Sequence, residues 1–341
     1  MTAPEIALSS LKLTGKIGDG GEGEVFGIEN KPGDVLKLFK STVRNELSEV
    51  GLRSTIGLLD LMTPIDRAYI HSRSAWPSTI VRDSGAFVGF LMPRLTADYF
   101  VLHGQLGNPG SGPNDWNKLT FRRDWMPNPN LESSSPKLWY PNKKKLNSLS
   151  DDDKQLRGKL LELLLDISKI FALLHRYNIV VGDVSGRNLL WSAKSGNTAM
   201  LIDCDGCRLD NSVGVTRAKQ SPDWFDKNLT GFTNIQSDLY KLAIAIYRGY
   251  FSDGLGMPGN LLIQPKTKTD REIFDYAKRG VSDTNRPSAK EWSKVLEEAI
   301  SESENDGRPR IKLWSFKGTP PQQSPPQPPD ANDARPIIQL Y

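Results

Sequence analysis

The order in which two kinds of hydrophobic spacing occur constrains this chain more than any other feature. Short alternating segments separated by tight turns come first, and helical spacing dominates after residue 150. Residues 11–17, 24–28 and 35–39 read as strands of a meander. A glycine-rich turn and Lys31-Pro32-Gly33-Asp34 join them. Residues 43–61 read as a helix with Val43, Leu47 and Val50 as its inward stripe. Residues 79–82 and 87–92 pair as a hairpin across Asp83-Ser84-Gly85. A long amphipathic helix, capped by Ser150 and opened by Asp151, Asp152 and Asp153, runs to about Tyr177. Short strands follow near 189–191 and 199–203, then helices over 238–247 (capped by Ser237), 270–279 and 288–301. Strands with one helix among them, followed mostly by helices, predict an α+β fold with two lobes.

Two stretches fall outside this pattern. Between 103 and 150 the periodicity fades, yet Trp116, Trp125 and Trp139 predict that part of the segment docks onto the body. From 317 the run TPPQQSPPQPPD reads as a tail or linker, unstructured or polyproline II.

Composition narrows the function classes. The net charge of +4 arises from 44 basic and 40 acidic residues, which gives no reason to expect a nucleic-acid or membrane partner. No apolar run reaches the length of a membrane span, and MTAPEIALSS lacks the layout of a signal peptide. The two cysteines, Cys204 and Cys207, are too few for a disulfide framework, so a cytosolic, reducing setting is expected. A zinc site would need a second pair of ligands, and His71, His103 and His175 are not in ligand spacing. Two small residues beside a strand is the plainer reading of the C-x-x-C.

Four elements carry chemistry. Ile17-Gly18-Asp19-Gly20-Gly21-Glu22-Gly23-Glu24-Val25 is G-x-G-x-x-G-x-V, and glycines let backbone amides approach phosphate oxygens. A dinucleotide fold would follow it with a helix; here a second strand follows, so the loop is a hairpin. Lys37 sits in the apolar run Val35-Leu36-Lys37-Leu38-Phe39, where a buried ammonium needs a partner. Nucleotide phosphates or a helix glutamate would serve, and Glu46 lies closer to the expected inward stripe than Glu49. Asp183 and Asn188 lie five apart before an apolar strand, and Asp203 ends another in Leu201-Ile202-Asp203-Cys204-Asp205. An asparagine and two aspartates around one cleft form the hard oxygen set that magnesium prefers.

These elements, in this order, resemble the protein kinase signature over roughly residues 11–301. Ser221-Pro222-Asp223 resembles A-P-E, Ser237-Asp238-Leu239-Tyr240 the start of the central helix, and Asn285-Arg286-Pro287-Ser288 the R-P-[ST] segment. An Asp223–Arg286 ion pair is expected from that likeness, and Met92-Pro93-Arg94 falls at the hinge. Val181-Gly182-Asp183 and Ile202-Asp203-Cys204-Asp205 are similar to a divergent bacterial group of Ser/Thr kinases encoded beside helix-hairpin-helix or tellurite-resistance modules.

The resemblance implies an N-lobe over 1–95, a hinge and insertion over 96–150, a C-lobe over 151–316 and the tail over 317–341. It implies that Gly18, Gly20, Gly23, Val25 and Met92 line an ATP site. Lys37 would hold the α- and β-phosphates and pair with Glu46. Asp203 and Asn188, with Asp205 as a further candidate, would hold magnesium or manganese. Asp183 would accept the proton of the attacking hydroxyl. A protein substrate is implied, with a phosphatase or von Willebrand-type partner. The chain departs from the pattern where His and Arg are replaced by Val181 and Gly182, and Lys by Ser185, with Arg187 nearby. A nucleotide-binding scaffold without activity, or a small-molecule kinase, therefore stays open.

Overall fold

In the computed structural model, described for residues 3–105, 108–120, 151–192, 196–212, 214–215, 221–251, 256–259, 263, 265, 267–282 and 285–305, sheet and helices are segregated as α+β. Six strands form one mixed sheet: β1 (Glu5–Ala7), β2 (Leu13–Asp19), β3 (Gly23–Ile28), β4 (Asp34–Phe39), β5 (Thr79–Asp83) and β6 (Ala86–Pro93). Their order is β1-β5-β6-β4-β3-β2; β1 runs parallel to β5 and the other pairs are antiparallel. The β5–β6 turn places Ser84 and Gly85 at positive φ, the geometry whose twist matches a two-residue hairpin. Strand β1 is too short and polar to announce itself in the sequence.

Between β4 and β5 lie α1 (Glu49–Leu58) and α2 (Pro64–Ser72). The helix expected over 43–61 starts only at Glu49, because the Ser48 side chain accepts a hydrogen bond from the Gly51 amide and caps it there. Residues 44–46 form a separate 3-10 turn. The inner face is consequently Gly51, Leu52, Thr55 and Leu58, and Val50, expected inward, is 73% exposed.

The remaining helices and strands follow, and most of them contribute buried residues to a larger apolar core. They are the hairpin β7 (Phe100–Gln105) and β8 (Asn108–Pro113), α3 (Trp116–Thr120), α4 (Asp151–Arg176), β9 (Ile179–Val180), β10 (Leu189–Ser192), β11 (Thr198–Leu201), β12 (Arg208–Leu209), α5 (Ile235–Phe251), α6 (Lys268–Gly280) and α7 (Ala289–Asn305). The start of the 103–150 stretch is thus ordered, and Trp116 is fully buried, as the docking expectation required; Trp125, Trp139, Ser150 and the proline-rich tail lie outside the described residues. Helix α5 begins three residues before the expected start. Its cap is Asn234, whose side chain accepts from the Ser237 amide while the Ser237 hydroxyl accepts from the Asn234 amide. Among the described residues no helix is long and apolar enough to cross a membrane.

Candidate active site

The glycine-rich segment folds as the β2–β3 hairpin. Gly18 lies opposite Val25 and Asp19 opposite Glu24, and the Gly20 amide donates to the Gly23 carbonyl at 2.8 Å. At Gly23 a Cβ would come within 2.9 Å of the Leu38 carbonyl oxygen, so only glycine lets β3 lie this close to β4. Asp19 bridges Lys16 and Lys40, both at 2.8 Å, and hydrogen bonds from these lysines lower its pKa to about 2. These ties, one within β2 and one to the residue after β4, had no signal beyond alternating charge.

Lys37 occupies the middle of the sheet, in β4, between Val25 of β3 and Phe90 of β6. Directly opposed residues project to the same face, so Val25 shares the face of Lys37. The ammonium is buried, lies 5.6 and 5.5 Å from the ring centroids of Phe39 and Phe90, and is held by carboxylates. It donates to Asp203, and to both oxygens of Asp205 at 3.1 and 3.0 Å. Burial opposes its charge, but Asp203 and Asp205 outweigh that and raise its pKa. The expected Glu46 partner is a correction: Glu46 is exposed on the 3-10 turn before α1. The alternative, Glu49, is engaged by Arg53 at 2.7 Å and Arg82 at 2.5 Å. The Ser48 cap turns the helix so that Gly51, Leu52, Thr55 and Leu58, not a carboxylate, face inward.

Asp203 follows β11 in the left-handed conformation, at φ 59°. For a non-glycine residue this costs energy and marks a side chain whose direction matters. Asp183 follows β9, and Asn188 bridges to it: the Asn188 amide donates to the Asp183 carbonyl at 2.8 Å and to its carboxylate at 3.1 Å. The Ile202 amide donates to the Asn188 carbonyl at 3.0 Å, tying this loop to the strand that delivers Asp203. Burial raises the pKa of Asp183, and the Asp203 carboxylate adds to it. Lys37, Asp183, Asn188 and Asp203, scattered over the sequence, therefore converge. Met92 stays within β6 opposite Val35, two strands from the glycine hairpin.

Asp205, a further candidate for the metal or a cap of the following turn, is buried, with both oxygens on Lys37. Burial, together with the neighbouring Asp203 carboxylate, raises its pKa to about 7 despite Lys37. For Asp203, partial desolvation of its outward-facing carboxylate is outweighed by Lys37 and the pKa is lowered. Among the described residues no three His, Cys, Asp or Glu side chains form a metal cage. Magnesium keeps waters and takes phosphate oxygens, so one carboxylate and an amide oxygen suffice on the protein side. Asp203, with its side chain 41% exposed, and Asn188, whose amide nitrogen is turned to Asp183, fit that demand.

Two residues of α5 were missed. Asp238 accepts from the Val181 amide at 2.7 Å and the Gly182 amide at 3.0 Å, and Lys241 donates to the Gly182 carbonyl at 2.7 Å. One helix turn thus grips both ends of the residue before Asp183. The available signals were the Ser237-Asp238-Leu239-Tyr240 motif, to which no role in the site was attached, and a single charge, Lys241, in the otherwise apolar run Leu239–Tyr247. The arginine pair also differs: Arg286 binds Asp226 at 2.6 Å, both buried, whereas Asp223 has an exposed side chain and offers its carbonyl to Arg248. No family model matches the chain, and a search of curated proteins finds no match.

Proposed function

We propose that the chain is a protein-kinase-like phosphotransferase of the two-lobed kind, using ATP and magnesium. The observation that carries this reading is the meeting of a buried sheet lysine with Asp203, beside the Asp183–Asn188 pair. The glycine hairpin would cover the nucleotide phosphates with its amides, and Lys37 would neutralise the α- and β-phosphates. Asp203 and Asn188 would hold the metal, which supplies charge neutralisation on the phosphate oxygens. Asp183 would take the proton of the attacking hydroxyl as its oxygen bonds to the γ-phosphorus; the bond to the bridging oxygen breaks and ADP leaves with the electron pair. Burial favours this proton acceptance by raising the pKa of Asp183. A protein Ser/Thr acceptor in the cytosol is the proposed setting, by likeness of the sequence motifs. The nucleotide-binding scaffold is the rival that the Lys37–Asp203 contact itself favours, since this lysine must exchange partners before it can serve phosphates.

Radiolabelled ATP with magnesium tests the proposal. Wild type should incorporate label, and Asp183→Ala and Asp203→Ala should each lose it by about a hundredfold or more. Label that persists undiminished in both variants rejects the assignment. A rise in melting temperature with ATP but no label selects the scaffold.

A further inference from the structure

The lysine of the site has a carboxylate partner, yet it is not on α1. We infer that Asp205 is the positioning residue of Lys37, holding the ammonium from inside the molecule while Asp203 is left to face the metal and nucleotide. The inference deepens the phosphotransferase reading and depends on it only for what Asp203 receives.

Exposure divides the two aspartates. The side chains of Lys37 and Asp205 are 8% and 5% exposed, against 41% for Asp203. Both oxygens of Asp205 lie at hydrogen-bond distance from the ammonium, so ligating a metal in the cleft would leave a buried lysine without that partner. Asp203 can leave Lys37 for a cation while Asp205 remains.

The loop is built to hold Asp205 still. It sits in the 3-10 turn Cys204–Gly206, closed by the Cys207 amide on the Cys204 carbonyl at 3.1 Å. Cys204 and Cys207 are buried and unbridged, one on each side of it. The C-x-x-C pair therefore has a packing role: it roots the turn in the core and points the intervening carboxylate at Lys37. Helix α1 joins the same turn through a hydroxyl, with Thr55 Oγ1 donating to the Cys207 carbonyl at 2.7 Å. Glu46 is exposed and Glu49 belongs to Arg53 and Arg82. Lysine placement is thus independent of any carboxylate on α1.

Full-length protein without ligand provides the first test. Melting temperatures are measured for Asp205→Asn, Lys37→Met and the double variant. Lys37→Met strands the buried Asp205 carboxylate, and Asp205→Asn leaves the buried ammonium with only the outward-facing Asp203, so both should lower the melting temperature. The double variant should recover much of the loss, because the exposed Asp203 can be solvated alone. A double variant no more stable than Asp205→Asn overturns the pairing, and this comparison holds even if Asp205→Asn is largely unfolded. Acylation of the Lys37 amine by acetic anhydride, read by mass spectrometry, should quicken by about tenfold in Asp205→Asn once the clamp is lost. Glu46→Gln and Glu49→Gln should keep the wild-type rate; a comparable increase in Glu49→Gln overturns the inference. Magnesium–ATP thermal shifts supply the separate arm. No shift in wild type removes the phosphotransferase reading and leaves the ligand-free results standing. Where a shift occurs, magnesium is titrated at saturating ATP, so that weaker phosphate binding does not enter. Asp203→Asn should raise the magnesium midpoint and Asp205→Asn should not; a midpoint raised as far in Asp205→Asn as in Asp203→Asn makes it a metal ligand and overturns the inference.

Discussion

Arg286 and Asp226 lie far apart in sequence and bury their charges together, at 5% and 2% side-chain exposure. Removing one member leaves the other charged and dry, which costs about 3–5 kcal/mol. Arg286→Ala and Asp226→Ala should therefore each lower the urea midpoint strongly. Asp223→Ala, whose carboxylate is exposed, should shift stability by no more than about 0.5 kcal/mol. Equal losses in Asp223→Ala and Asp226→Ala would contradict the pairing. The arginine was legible from its motif. Its partner was not, because three residues along a turn decide which carboxylate faces inward, and no periodicity governs that choice.

Element α1 shows how one cap sets a whole face. The Ser48 cap starts the helix at Glu49 and directs Gly51, Leu52, Thr55 and Leu58 inward. The Ser48 amide also donates to the Val215 carbonyl at 2.8 Å, which fixes the helix N-terminus against a distant segment. At Gly51 a Cβ would lie 2.5 Å from the Gly214 carbonyl oxygen, whereas at Gly57 nothing lies within 4 Å. Gly51→Ala should destabilise by about 1–3 kcal/mol through overpacking. Gly57→Ala should stabilise by about 0.4–1 kcal/mol through helix propensity and a less free unfolded chain. Denaturant titration of both variants decides the matter: two changes of the same sign would mean that the close approach at Gly51 is not there. The hydrophobic spacing of 43–61 suggested a helix, but the helix begins only at Glu49: Val43 and Leu47 pack inward from the segment before it, and Val50 of the expected stripe is exposed. Carrying the helical period back through the 3-10 turn at 44–46 is what made Glu46 look like an inward carboxylate.

Across the whole molecule, α5 is the axis on which the site is mounted. Every residue from Ser237 to Tyr250 is buried, and its Asp238 and Lys241 hold the Gly182 backbone. The segment around α3 crosses from this helix to the loop carrying Asp183 and Asn188. Trp116 Nε1 donates to the Ala245 carbonyl at 2.9 Å, and the Trp116 amide to the Gly186 carbonyl at 2.9 Å. Trp116→Ala should cost about 3–5 kcal/mol, as expected for emptying a buried aromatic site. Equilibrium unfolding in urea checks it, and a midpoint unchanged from wild type would mean that the segment is not part of the core. The segment whose tryptophans predicted docking is in this part a strut against the loop of the candidate site.

What residue order alone determined is local. It set the strand segments and their turns, the glycine hairpin, the lysine inside an apolar strand, and the Asp and Asn positions at strand ends, because each depends on neighbours within a few positions. What only the tertiary structure decided is pairing at a distance: Lys37 with Asp205 rather than Glu46, Arg286 with Asp226 rather than Asp223, and α5 with the Gly182 peptide. Those choices depend on which face of each element is buried, and burial is settled by caps, close backbone approaches and packing that the linear pattern does not contain.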